Sequence, residues 1–270
     1  MSATSFAQPG RLVLAAVLLW SGAAVAEDKF VETVGLAFDL GSDELLYRET
    51  HCLSADGRER EVTYQDAADR FLARKWVDYR SGTTTPSFVQ YNHYSQKSIE
   101  VAPQRDGISM AVVSREDPEE NMTTLAQPSD ELPVVIDAGF DDFVRTHWDA
   151  LVGGENREFQ FPFASQEGLV ELRISPRACT YDTTTDQCFQ LDLANWFLRL
   201  LVKPIELGYD AETRRLSRYR GLSNIGDGNG NGLVVDIRYQ YDDVEPSACQ
   251  LIDQTLTVTI PGDLRDAGAS

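Results

Sequence analysis

The spacing richest in chemistry is a glycine- and asparagine-rich run, Gly226-Asp-Gly-Asn-Gly-Asn-Gly232. Counted from Asp227, the residues Asp227, Asn229, Asn231 and Gly232 match the first half of a helix-flanked calcium loop, whose alternate side-chain oxygens converge on the ion. The twelfth position should be a bidentate glutamate and is Arg238, and the downstream flank reads as a strand. Asp227, Asn229 and Asn231 are therefore candidate ligands of a weak calcium site, with Asp236 as a further carboxylate. A plain Gly/Asn turn is the competing reading.

Gly221-Leu-Ser-Asn-Ile225 approaches a nucleophile elbow, but Ile225 stands where a second glycine must allow the tight turn. Ser223 would also need a histidine, and His51, His93 and His147 have no catalytic motif around them. His147 falls inside a helical apolar stripe, where a hydrogen-bonded core residue is the simpler reading. Carboxylates are abundant, yet none are marked out as an acid–base pair. There is no phosphate loop and no dinucleotide fingerprint, so no cofactor is expected. The balance falls on a non-enzymatic protein, with a hydrolase of unrecognised site as the alternative.

The elements that must position such groups start after residue 26. Over 1–26, Arg11 is the single charge, Leu12–Trp20 is an apolar run, and Ala24-Val25-Ala26 is a small-x-small cleavage site. The run is too short for a span, which needs about 20 residues. A cleaved signal peptide and a periplasmic protein beginning at Glu27 are expected, with no stable membrane span afterwards. In that compartment Cys52, Cys179, Cys188 and Cys249 read as two disulfides. Cys179 and Cys188 flank a short polar loop and should pair locally, which leaves Cys52 for Cys249. A zinc site lacks the usual spacings. Forty-three acidic residues against 24 basic give a net charge of −19, which disfavours nucleic acid and anionic headgroups as partners.

Most of the rest reads as strands. Val31–Leu40, Glu44–Cys52, Glu59–Tyr64, Phe71–Tyr79, Pro86–Tyr94, Lys97–Val101 and Ile108–Val113 are joined by short turns, the signature of an antiparallel meander. Residues 115–133 are acidic and proline-bearing and read as a loop or a hinge between two halves. A helix is expected near 139–152, with Asp137 as its cap and Phe140, Phe143, Val144, His147, Trp148 and Leu151 on one face. A second, near 193–202, carries Leu193, Trp196, Phe197, Leu200 and Leu201, and Pro204 ends it. Strands follow around Val170–Ile174, Ile205–Tyr209, Arg214–Arg220, Leu233–Tyr241 and Gln254–Ile260.

Asp137–Val144, Asn195–Val202 and Pro204–Asp210 through Gly221–Ile225 resemble a group of uncharacterised exported proteobacterial proteins, over about the C-terminal half. That group supplies no catalytic assignment. The meander with a helix also resembles, in architecture, the open half-barrels of periplasmic lipoprotein carriers.

The expected fold is therefore mainly β: one β-rich domain over 27–263, built as a curved antiparallel sheet with two short packing helices and a polar tail at 264–270. Long antiparallel strands coil into a concave surface. The N-terminal strands carry many aromatics, and Tyr47, Tyr64, Trp76 and Tyr91 are the expected lining of an apolar groove. The competing reading is that a helix fills the concavity and these rings are ordinary core. The expected partner is an apolar or lipid-like ligand, or a protein of the cell envelope.

Overall fold

The computed structural model describes residues 29–164, 168–195, 203–226 and 232–241, together with Cys249. Eight strands come first: β1 (Lys29–Asp39), β2 (Leu45–Ser54), β3 (Glu59–Asp66), β4 (Phe71–Asp78), β5 (Ser87–Asn92), β6 (Lys97–Gln104), β7 (Gly107–Ser114) and β8 (Met122–Ala126). Helices α1 (Gly139–Thr146) and α2 (Trp148–Val152) follow. Then come β9 (Arg157–Phe163), β10 (Gly168–Arg177), β11 (Asp186–Leu193), β12 (Ile205–Asp210), β13 (Leu216–Gly226) and β14 (Gly232–Gln240).

All fourteen strands form one antiparallel sheet, because short connections put successive strands side by side. Two meanders, β1 to β8 and β9 to β14, are joined where β1 pairs with β14 in the register Gly35↔Tyr239 and Ala37↔Ile237. The sheet curls until its edges, β8 and β9, approach each other, and β8 comes against β10 without pairing to it. Among the described residues the result is a nearly closed barrel with one seam. The expected curved antiparallel sheet is what the protein forms.

The seam is filled by the segment before α1. Gln160 on β9 makes five hydrogen bonds to it. Its side chain accepts from the Ser129 amide at 2.8 Å and donates to the carbonyls of Ser129 and Leu132. Its backbone donates to Pro133 and accepts from Val135. An edge that would otherwise expose a free ladder is thereby covered.

Helices this short do not hold themselves in water, so packing must hold them. Phe143, Val144, Trp148 and Leu151 are buried against Phe159, Ile174, Phe189, Leu207 and Tyr209 from β9 to β12. Each such side chain contributes about 1.5–3 kcal/mol when fully buried. The helices therefore plug one half of the barrel.

Several expectations need correction. The helix near 139–152 is broken at His147 into two, and Asp137 does not cap it. The N-cap is Ala138, without a side-chain bond. The loop at 115–133 holds a 3-10 turn, Pro118–Glu120, and strand β8, an edge strand short enough to escape a periodicity search. Strands β9 and β11 also lie outside the expected elements, although in β9 Phe159 and Phe161 alternate with Glu158 and Gln160. Of the helix at 193–202, Leu193 belongs to β11, and residues 196–202 lie outside the described residues. So does the strand at Gln254–Ile260. Both disulfides, Cys179–Cys188 and Cys52–Cys249, are present.

Candidate functional site

Strand alternation decides which side chains face the interior. On β2 these are Tyr47, Glu49 and His51, and the register carries the same face through Tyr64 and Val62 on β3 to Ala73, Lys75 and Val77 on β4. It continues to Gln90 and Phe88 on β5. On the other side of β2 it passes through Gly35 and Ala37 to Tyr239 and Ile237. Two charged residues, Glu49 and Lys75, thus sit in phase with a wall that is mostly apolar and aromatic and carries the Gln90 amide, and both are buried.

Glu49 accepts from His51 Nε2 at 3.1 Å, with the imidazole edge-on to Tyr239. Burial alone would raise the Glu49 carboxyl pKa. The His51 hydrogen bond and charge, the Tyr239 hydroxyl and the Lys75 ammonium outweigh burial, so the pKa is lowered and the group is an anion. Burial, with the Glu49 charge next, pushes the phenols of Tyr47, Tyr64 and Tyr239 well up. They remain neutral hydrogen-bonding groups. Gly35 makes this possible: a Cβ there would meet Glu49 Cγ at 2.7 Å and Oε1 at 2.8 Å.

Lys75 Nζ lies 2.7 and 2.9 Å from the two carboxylate oxygens of Asp137 and 5.4 Å from the centre of the Phe88 ring. Beyond it Val77, Phe88, Val101, Ile108, Met110 and Ile136 form an apolar cluster. Lys75 therefore stands on the border between a tyrosine-rich polar region and an aliphatic one.

Irregularity in β13 contributes a third part. The register shifts between Leu222 and Gly226, and Ser223–Ile225 reach across to the opposite wall. Ser223 Oγ is 2.8 Å from Tyr47 Oη, Asn224 exchanges hydrogen bonds with Gln90, and Ile225 packs with Tyr47 and Tyr64. The Gly221–Ile225 stretch thus ties the barrel across rather than presenting a nucleophile: the partners of Ser223 are Tyr47 and the Ile225 amide.

Of the four aromatics expected to line a groove, Tyr47 and Tyr64 come together inside, ring centres 6.1 Å apart. Trp76 pairs with Glu61 and Val89, one step out of phase with Lys75, and faces outward. Tyr91 is likewise out of phase with Gln90, and stacks on Phe71 with Arg115 4.3 Å above its ring. Asp227, Asn229 and Asn231 lie outside the described residues. Asp236 is on the outer face, held by Arg218 at 2.7 Å and Arg238 at 3.2 Å, and burial notwithstanding, these arginines lower its pKa. Among the described residues no group of three or more His, Cys, Asp or Glu could hold a metal ion. His147 is half-buried and packs on Phe143 at 4.6 Å, with its pKa lowered by burial and then by Arg157. Sequence reasoning passed over Glu49 and Lys75. The available signal was a charge in phase with apolar neighbours, in Tyr47-x-Glu49-x-His51 and Ala73-x-Lys75-x-Val77.

No protein-family model and no curated protein matches the sequence. Among solved structures, a β-barrel-like protein of a domain of unknown function (DUF1849) from Brucella abortus is similar at 10% identity. The match covers 78% of this chain and 96% of that one with a TM-score of 0.43, a likeness too distant to carry any inference about function.

Proposed function

We propose that this protein is an exported, non-enzymatic binding protein that holds a small, apolar-bodied ligand inside its barrel. The observation that carries this reading is the burial of two ion-paired charges, Glu49 with His51 and Lys75 with Asp137, on an inner wall that is mainly aromatic and aliphatic. Replacing a buried pair by apolar residues of similar volume is commonly neutral or stabilising. An interior that keeps two such pairs beside neutral phenols suits a ligand with an apolar body and a polar end. The outer face supports release into an aqueous compartment: Arg218, Arg220, Arg238 and Asp236 occupy outward positions where a membrane barrel carries an apolar band. No described helix is long and apolar enough to cross a membrane.

Titration with a neutral naphthylamine dye, displaced by fatty acid, tests the reading. Saturable binding to the folded protein is expected. Tyr64→Leu should weaken it about tenfold, a loss of roughly 1–1.5 kcal/mol for a removed aromatic contact. Trp76→Ala, on the outer face, is the control and should bind as the native chain does. Absence of saturation, or equal losses in both variants, would reject an interior site.

A further inference from the structure

Ile136 and Asp137 are adjacent in the chain and do opposite things in the barrel. Ile136 is fully buried in the apolar cluster with Val77, Phe88, Val101, Ile108 and Met110. Asp137 turns at once to place both carboxylate oxygens on the buried Lys75 ammonium. A branched apolar group followed by a carboxylate on a buried cation has the outline of an amphiphilic acid.

Two local preferences are given up for this placement. The Asp137 backbone is left-handed, with φ of 40°, a region that side chains other than glycine enter at a cost. Its carboxylate also forgoes capping α1, although it stands next to an N-cap that has no side-chain bond. Upstream the segment is anchored by Gln160, and at Ile136–Asp137 itself its bonds to the barrel wall are Ile136 N–H to Thr84 at 2.9 Å and the pair with Lys75. It lies along the seam between β8 and β9, where no strand pairing among the described residues closes the barrel wall.

We infer that Ile136–Asp137 is a built-in stand-in for the ligand, and that the ligand is an amphiphile with a carboxylate headgroup. The headgroup replaces Asp137 on Lys75, the tail takes the place of Ile136, and the seam segment moves out to admit it. This rests on the reading of the barrel interior as a ligand site. The acidic exterior does not forbid an anion, because its repulsion is screened beyond about 8 Å at physiological salt, and Lys75 lies within.

Dodecanoate and dodecanol, which share a tail and differ in headgroup, decide the matter when titrated into the native chain, Asp137→Asn and Lys75→Met. The native chain should prefer the acid by about tenfold, the worth of one hydrogen-bonded charge. Asp137→Asn should bind the acid about tenfold more tightly than the native chain, since the self-occupied state no longer competes as well. In Lys75→Met the ratio of acid to alcohol affinity should fall to about one. Equal affinity of the native chain for both compounds, or unimproved acid binding by folded Asp137→Asn, overturns the carboxylate assignment and leaves the interior site standing. Should Asp137→Asn not fold, with the Lys75 ammonium left without its counter-charge, the Lys75→Met ratio decides alone. Binding of neither compound to any variant removes the interior site and this inference together.

Discussion

At the scale of single residues, Glu49 shows how a neighbourhood can reverse the effect of burial. Desolvation favours a neutral carboxyl, yet His51, Tyr239 and Lys75 keep it ionised. The folded pKa is below the unfolded value, about 4.3 for glutamate. The pairing therefore stabilises the fold above that pH, and the contribution is lost as pH falls through the lower folded value. Glu49→Gln keeps the shape and removes the titration. Its urea midpoint should fall less steeply than that of the native chain between about pH 4 and pH 2. Parallel slopes would mean that Glu49 does not carry a charge in the folded protein.

At the scale of elements, the weak place is the seam. Thirteen pairings hold the strands to one another, while the segment across the gap depends heavily on Gln160. Gln160→Leu leaves the Ser129 amide and the Ser129 and Leu132 carbonyls without their side-chain partner. A loss of about 1–2 kcal/mol is expected, the net worth of the lost bonds, because exposed Ser129 can turn its freed groups to water. Amide exchange should quicken at Ser129 and Val135 while Val62 and Lys75, in the middle of the sheet, stay protected. Uniform exchange across the barrel would show that the seam does not open by itself.

At the scale of the whole molecule, Cys52–Cys249 ties β2 to the chain beyond β14, across a separation of 197 residues. The β1–β14 pairing already brings these parts together in the folded state, so the bond acts chiefly on the unfolded chain. Loop entropy values it at about 5 kcal/mol, against about 2–3 kcal/mol for the nine-residue separation of Cys179 and Cys188. On the proposal that the protein is exported, the mature chain should begin at Glu27 and contain no free thiol. Cys52→Ser/Cys249→Ser should lower its urea midpoint more than Cys179→Ser/Cys188→Ser does. The reverse order, or a chain retaining Met1, would count against this account.

The first seven strands are legible in the sequence to within a few residues at most ends, since alternation and turn residues are local properties. The helical stripe from Phe140 to Leu151 and the Cys179–Cys188 pair are legible for the same reason, and Cys52–Cys249 then follows by elimination. Strands β8, β9 and β11 escape because the first is short and half exposed, the second carries Pro162, and the third runs from a cysteine loop into a stretch with helical spacing. The site was less accessible. A period of two tells which residues share a face, but not which face is inside. Tyr47, Tyr64, Trp76 and Tyr91 therefore look alike until the barrel closes and sends two of them inward and two outward. Lys75 and Asp137 are 62 positions apart, and what joins them is the curl of the sheet, which brings the segment at its seam against the fourth strand. That closure sums the twists of fourteen strands with the packing of two helices, and no local stretch of sequence contains it.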